Sequence, residues 1–237
     1  MSGWKARRFW KEATVAEEDG GFTVRLDGRP VRTPAKRAIV MPTRAMAQAV
    51  AAEWEAQEEE VRPDLMPATR TVNSAIDKVA TQHAEVAAML AAYGDSDLLC
   101  YRADHPEGLV ARQQAAWDPM LDWAAEALGA RLDTRSGIMH RPQPSEALEE
   151  LSRRTHALGA FELAAFHDLV SLTGSLILGF AAAEGAFPPE DIWARSRIDE
   201  EWQAEQWGRD AEAEAQAAVK KEAFLHAHRM FTLCRET

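Results

Sequence analysis

The side chains of this chain that could do chemistry are few and scattered. Asp95, Asp97 and Cys100 fall in one short stretch, where a carboxylate beside a thiol could serve a nucleophile. Gly94-Asp95 is equally the pair that stops a helix and opens a turn, so the stretch has a purely local reading as well. His167-Asp168 sets a base beside a carboxylate, with no nucleophile next to it. His226 and His228 are two apart, which on a helix turns the rings to different faces and argues against a shared metal. Gly174-Ser175 lacks the G-x-S-x-G frame and stands in an apolar run, where a small residue lets helices pack closely. Neither a Gly-rich phosphate loop nor an H-E-x-x-H pair occurs. The expectation is a protein with no catalytic residues, no metal and no cofactor.

Aromatic and acidic residues are more informative. Eight tryptophans in 237 residues are many for an ordinary soluble chain. Trp4 and Trp10 lie among Lys5, Arg7, Arg8 and Lys11. Trp202 and Trp207 lie in a run where residues 199–214 carry seven acids against the single base Arg209. Tryptophan is enriched at interface hot spots and acids steer a basic partner, so Glu200, Glu201, Trp202, Glu205 and Trp207 are the candidate partner-binding residues. The competing reading, of equal weight, packs Trp202 on the preceding helix and leaves the acids as a solvated face. Trp54 falls four residues after Val50 and eight after Met46, which marks it as structural.

Composition narrows the class. Acids outnumber bases 38 to 27, a net charge of −11. That argues against a general nucleic-acid binder and against attachment to an anionic membrane. Two cysteines, Cys100 and Cys234, are too few for a disulfide scaffold or a zinc ribbon and suit a reducing compartment. The most apolar run, 169–183, contains Ser171, Thr173, Gly174 and Ser175 and is shorter than the ~20 residues of a membrane span. It reads as a buried core helix. The N-terminus has bases but no apolar core of a secretory signal, so a mature cytoplasmic protein is expected.

The elements that must position these residues form an α+β, mostly α, chain. Phe22, Val24 and Leu26 alternate with polar residues as in a half-buried strand. Asp27-Gly28 supplies the turn, a structural role, and Val31 and Thr33 continue a return strand that Pro34 ends. Residues 37–41 give a third short apolar stretch, and an earlier strand is expected over 8–15. Thr43 is placed to cap a helix carrying Met46, Val50 and Trp54. A second helical pattern runs over 71–93. Residues 98–101 suit a strand or a helix equally. A helix over 106–128 should kink or break at Pro119. Residues 131–140 suggest a two-stranded edge. Single helices are then predicted over 145–158, 160–183, 189–207 and 210–234. The predicted division is a β-containing N-terminal domain with two helices, 1–95, and an all-helical C-terminal domain, 96–237.

An ordered set of short motifs crosses nearly the whole chain. It begins with Arg8-Phe9-Trp10-Lys11 and continues through residues 26–34, Leu-Asp-Gly-Arg-Pro-Val-Arg-Thr-Pro. Glu53-Trp54-Glu55-Ala56-Gln57, Met66-Pro67-Ala68-Thr69, Ala75-Ile76-Asp77 and residues 97–102 follow. Gln114, Trp117-Asp118-Pro119, Gly174-Ser175-Leu176, and residues 196–203 with Trp207-Gly208 complete it. This series resembles the ATP-twelve family, the assembly chaperones of the F-type ATP synthase. The departures are small: Ala68 stands where a larger apolar residue is usual, and Ser74-Ala75 where Thr-Ala is.

The resemblance implies a non-enzymatic, ATP-independent chaperone. It would bind the free alpha subunit of the catalytic sector, cover its beta-facing surface, and be monomeric when free. It also implies a bacterial, cytoplasmic member, because the chain starts almost at the Arg-Phe-Trp-Lys motif; eukaryotic relatives work in the mitochondrial matrix. Two other classes stay open at this point. One is a small-molecule enzyme with a cleft between the two parts using Asp97, Cys100 or His167; the other is a general holdase.

Overall fold

The first two strands pair because a short polar turn reverses an alternating sequence. In the computed structural model, which describes residues 7–137 and 139–236, β1 (Ala13–Glu18) runs antiparallel to β2 (Gly21–Leu26) from Ala13 opposite Leu26 to Glu18 opposite Gly21. Trp4 lies outside the described residues. Asp27 (φ 46°) and Gly28 (φ 82°) form the two-residue turn into β3 (Arg29–Pro30), both on the left-handed side that a twisted hairpin demands. The earlier strand thus occupies 13–18 rather than 8–15. The third apolar stretch gives only a bridge: Met41 exchanges two backbone hydrogen bonds with Phe22 (2.8 and 2.9 Å). A Cβ on Gly21 would fall on the Met41 carbonyl, so that close approach requires glycine.

The chain forms two compact units. The first takes residues up to His83, together with 159–165 and those from Arg229 on; the second takes 84–158 and 166–228. In the first unit, α1 (Arg44–Glu55) buries Met46, Ala47, Val50 and Ala51. Thr43 caps it, its Oγ1 accepting from the Met46 N–H at 3.2 Å and donating to the Leu233 carbonyl at 2.6 Å. A 3-10 turn at Pro63–Leu65 leads to α2 (Pro67–Asp77), which buries Val72 and Ala75.

Helix α2 both starts and stops earlier than periodicity predicts. Pro67 presets the first turn, and the Glu53 carboxylate caps it through Ala68 N–H (2.6 Å), Thr69 N–H (2.7 Å) and Thr69 Oγ1 (2.8 Å). At the far end Asp77 turns away to accept from Thr33 Oγ1 (2.8 Å) and Ala35 N–H (3.1 Å). Thr81 Oγ1 donates to the Lys78 carbonyl at 2.7 Å, a local bond that competes with helix propagation. The expected helix over 71–93 is therefore α2, a 3-10 turn at 79–81, and α3 (His83–Ala91).

After α3 the second unit continues with 3-10 turns at 92–96 and 98–100, the latter capped by Asp97. It continues into β4 (Tyr101–Arg102), which pairs in parallel with β5 (Arg135–Ser136). The ambiguous run at 98–101 thus holds both a helical turn and a strand start, and the edge expected within 131–140 finds its partner 34 positions earlier. Helix α4 (Glu107–Trp123) passes through Pro119 without breaking and ends in a π turn at 124–128, stopped by Gly129 (φ 69°). One residue beyond the carbonyl that the proline leaves without a donor, the Ala116 carbonyl accepts from Arg195 Nη1 at 2.5 Å.

Of the remaining expectations, α5 (Ser145–His156) and α10 (Ala211–Leu233) match closely. The 160–183 helix is two, α6 (Ala160–Thr173) and α7 (Leu176–Ala183), because Gly174 (φ 69°) ends one and Ser175 caps the next. The close-packing role read for Gly174-Ser175 is therefore corrected to a helix stop and restart. The 189–207 helix is also two, α8 (Pro189–Arg195) and α9 (Ile198–Trp207), parted where Ser196 Oγ donates back to the Trp193 carbonyl (2.7 Å). The fold is mostly helical with one small antiparallel sheet near the N-terminus. No helix among the described residues is long and apolar enough to cross a membrane.

Candidate partner-binding surface

Helix α9 is fixed by α4, and the residues doing so come from two short spans. Trp117, fully buried, donates its indole N–H to the Arg195 carbonyl at 2.8 Å and so fastens the end of α8. Gln113, four residues earlier on the same face, donates to Asp199 Oδ1 at 2.6 Å. Gly108 leaves room for the Trp202 ring, whose tip would lie 2.7 Å from any Cβ there. Arg112 then covers that ring, with its guanidinium 5.2 Å from the centroid.

The acids of this face are answered by arginines. Arg112 makes a two-pronged pair with Glu205, both bonds 2.9 Å. Arg197 meets Glu200 at 2.7 Å. Arg209 bridges Glu201 (3.2 Å) and Glu214 (2.8 Å). The Arg112 hydrogen bond holds the Glu205 carboxyl below the usual range, and Glu205 raises Arg112 in return. Arg209 is likewise raised, by Glu214 first and then Glu201. The glutamates and Arg209 are exposed while Arg112 and Arg197 are part-buried, and solvent and salt screen pairs that reach the surface in this way.

The five candidate residues thus occupy two environments. Trp202 is half-buried against Arg112 and Gly108, while Trp207, at the end of α9, is 81% exposed. Glu200, Glu201 and Glu205 are exposed and paired. Trp202 packs, but on α4 rather than on the preceding helix, because Gly108 makes room for its ring there, and the acids and Trp207 are exposed. Arg112, Gln113 and Gly108 were missed by the sequence reading, which singled out the exposed Gln114 instead. The signal for Gln113 was its spacing, four from both Leu109 and Trp117.

The residues singled out for chemistry lie elsewhere. Asp97 is fully buried and accepts from Ser175 Oγ (2.7 Å), Leu99 N–H (3.0 Å) and Ile177 N–H (3.0 Å). Burial pushes its carboxyl up to about 6, against the pull of those donors. Cys100 is buried, and burial pushes its thiol up to about 12, the opposite of an activated nucleophile. His167 is raised chiefly by its contact with Asp168 (2.9 Å). No metal-sized group of His, Cys, Asp or Glu gathers among the described residues. Trp54 is half-buried, its ring edge-on to Trp10 with centroids 5.2 Å apart. Asp27 accepts from the Lys11 and Glu12 N–H groups at 3.1 Å.

The profile of a family described as ATP12 chaperone protein matches residues 7–125. The chain belongs to the ATP12 chaperone family. The crystal structure of Atp12 from Paracoccus denitrificans is 51% identical and superposes with a TM-score of 0.96, covering 98% of this chain and 100% of that one. An aspartate-to-lysine mutant of P. denitrificans Atp12p gives 50% identity and the same TM-score, over 99% and 100% of the two chains. Protein atp12, mitochondrial, from Schizosaccharomyces pombe is 28% identical over 214 residues, 85% of this chain and 74% of that protein.

Proposed function

We propose that this protein is an ATP-independent assembly chaperone of the F-type ATP synthase that binds the free alpha subunit and shields its beta-facing surface until assembly. Family membership supports the chaperone class, and an assembly role is what the family resemblance implies. The observation that carries the finer reading is the α9 face, where an exposed tryptophan borders exposed acids paired only with arginine side chains. An unassembled subunit exposes an apolar patch meant for a large interface. A surface whose ion pairs exchange easily can compete for that patch. It then lets go by mass action when the native neighbour arrives, with no nucleotide required. The protein would act without enzymatic activity, as a monomer in the cytoplasm.

Sedimentation of the protein with separately expressed alpha subunit tests this, with beta subunit as control. A defined complex with alpha alone is expected. A complex with neither subunit, while alpha is folded, would overturn the reading. Equal protection of unrelated aggregating proteins would recast it as a general holdase.

A further inference from the structure

We propose that a cavity of about 390 Å³ beside α9 is a socket for one long cationic side chain, a lysine or an arginine, presented by the client protein. The inference rests on the chaperone reading for the identity of that client, and on the cavity's own chemistry for the rest.

Four short segments of the second unit build the walls, the one after β5 contributing Gly137. Tyr101, Ala103 and Asp104 come from β4 and the loop after it, Leu109 and Gln113 from α4, and Asp199 and Gln203 from α9. Leu109 and the Tyr101 ring give apolar surface that suits an aliphatic stem. The floor is rigid. Gln113 is only 2% exposed, and both ends of its amide are engaged: Oε1 accepts from the Ala103 N–H (2.9 Å) and Nε2 donates to Asp199 Oδ1 (2.6 Å).

Acceptors are left over at the head. The second Asp199 oxygen accepts no hydrogen bond from the described residues. Asp104 is exposed at the rim and makes no hydrogen bond or ion pair with them either. The one arginine in the lining does not neutralise these carboxylates. Arg102 donates Nε to the Leu99 carbonyl (2.7 Å), sets Nη2 2.8 Å from Asp118, and lies over the Trp117 ring. His105 is the remaining basic side chain of the rim. A mainly apolar throat with two open carboxylates fits an alkylguanidinium or alkylammonium ion. An anionic ligand would be repelled, and a neutral apolar one would leave the carboxylates unused. The chain's charge of −11 favours approach by a basic segment.

The socket can be tested on the full chain with small probes. A ¹⁵N-labelled sample is titrated with n-butylguanidinium, with n-pentanol as the neutral counterpart and butanesulfonate as the anionic one. The guanidinium alone should move the Gln113 side-chain amide and Ala103 backbone signals. Leu109→Trp, which fills the throat, should abolish that response, and Asp104→Asn, at an exposed position, should weaken it severalfold. No localised shift, or equal shifts with pentanol or butanesulfonate, would overturn the cation socket.

Binding to alpha subunit then tests the occupant. Asp104→Lys should weaken the complex about tenfold or more while leaving Tm unchanged. A guanidinium response with alpha binding unaffected by Asp104→Lys or Leu109→Trp would overturn the client assignment. Wild-type protein that takes guanidinium yet never binds alpha subunit would fail the chaperone reading instead, so the two failures are distinct.

Discussion

Carboxylates in the first unit and those on α9 are the same functional group used in opposite ways. Glu53 answers two backbone N–H groups and a hydroxyl, Asp27 answers the N–H groups of Lys11 and Glu12, and Asp77 joins Thr33 and Ala35. Glu55 accepts the Ala13 N–H at 2.8 Å and, with that bond as the main cause, sits below its usual range. On α9, by contrast, the exposed Glu200, Glu201 and Glu205 answer arginine side chains at the surface. A backbone donor has no substitute acceptor nearby once its carboxylate is removed. A solvated arginine simply turns to water. Acids of the first kind hold the fold, and acids of the second kind are free to be traded for a partner's bases.

Four measurements sharpen or break that contrast. The largest expected effect is at the aromatic pair: Trp54→Ala should cost about 3 kcal/mol by chemical denaturation, since it removes the ring facing Trp10. A mutant that unfolds like wild type would move Trp54 out of the supporting set. Glu53→Ala should cost roughly 2–3 kcal/mol by uncapping α2, because it strips a charged acceptor from three donors.

Glu201→Lys should shift stability by less than about 0.5 kcal/mol. The same substitution should weaken alpha-subunit binding, and added salt should weaken the wild-type complex in the same direction. Unchanged affinity in a titration would remove Glu201 from the partner surface.

The smallest effect is a pH dependence. Asp97 has a carboxyl raised by burial from 3.8 to about 6, so the folded state binds the extra proton. Its contribution to stability is full below about 4 and is lost as pH rises through 6. The Tm difference between wild type and Asp97→Asn should therefore narrow between pH 4 and 7. A constant difference across that range would show that Asp97 does not titrate there.

Local chemistry was the legible part of the sequence. The Asp27-Gly28 turn and the Thr43 cap could be read because a turn or cap depends on a few adjacent side chains. The break at Gly174-Ser175 was hidden, since residues on both sides are apolar all round and periodicity carries no information there. What fixes it is Asp97, 78 positions away, bonded to Ser175 Oγ. The α9 candidates were legible as a composition of acids and tryptophans. Their pairing was not, because Glu205 finds Arg112 across 93 positions and no local pattern links the two. Pro119 misled because α4 continues through it, next to a carbonyl, Ala116's, that Arg195 from another helix holds.

The bond between Thr43 and the Leu233 carbonyl joins residues 190 positions apart within one unit. Arg235 and Glu162, paired at 2.7 Å, tie the same unit to its middle and last segments. During synthesis the early hairpin and α1 therefore emerge long before the strands of contact that finish their core. That core cannot be completed until nearly the whole message has been read. A protein proposed to shelter an unfinished subunit has, in its own biogenesis, an unfinished N-terminal part of the same kind.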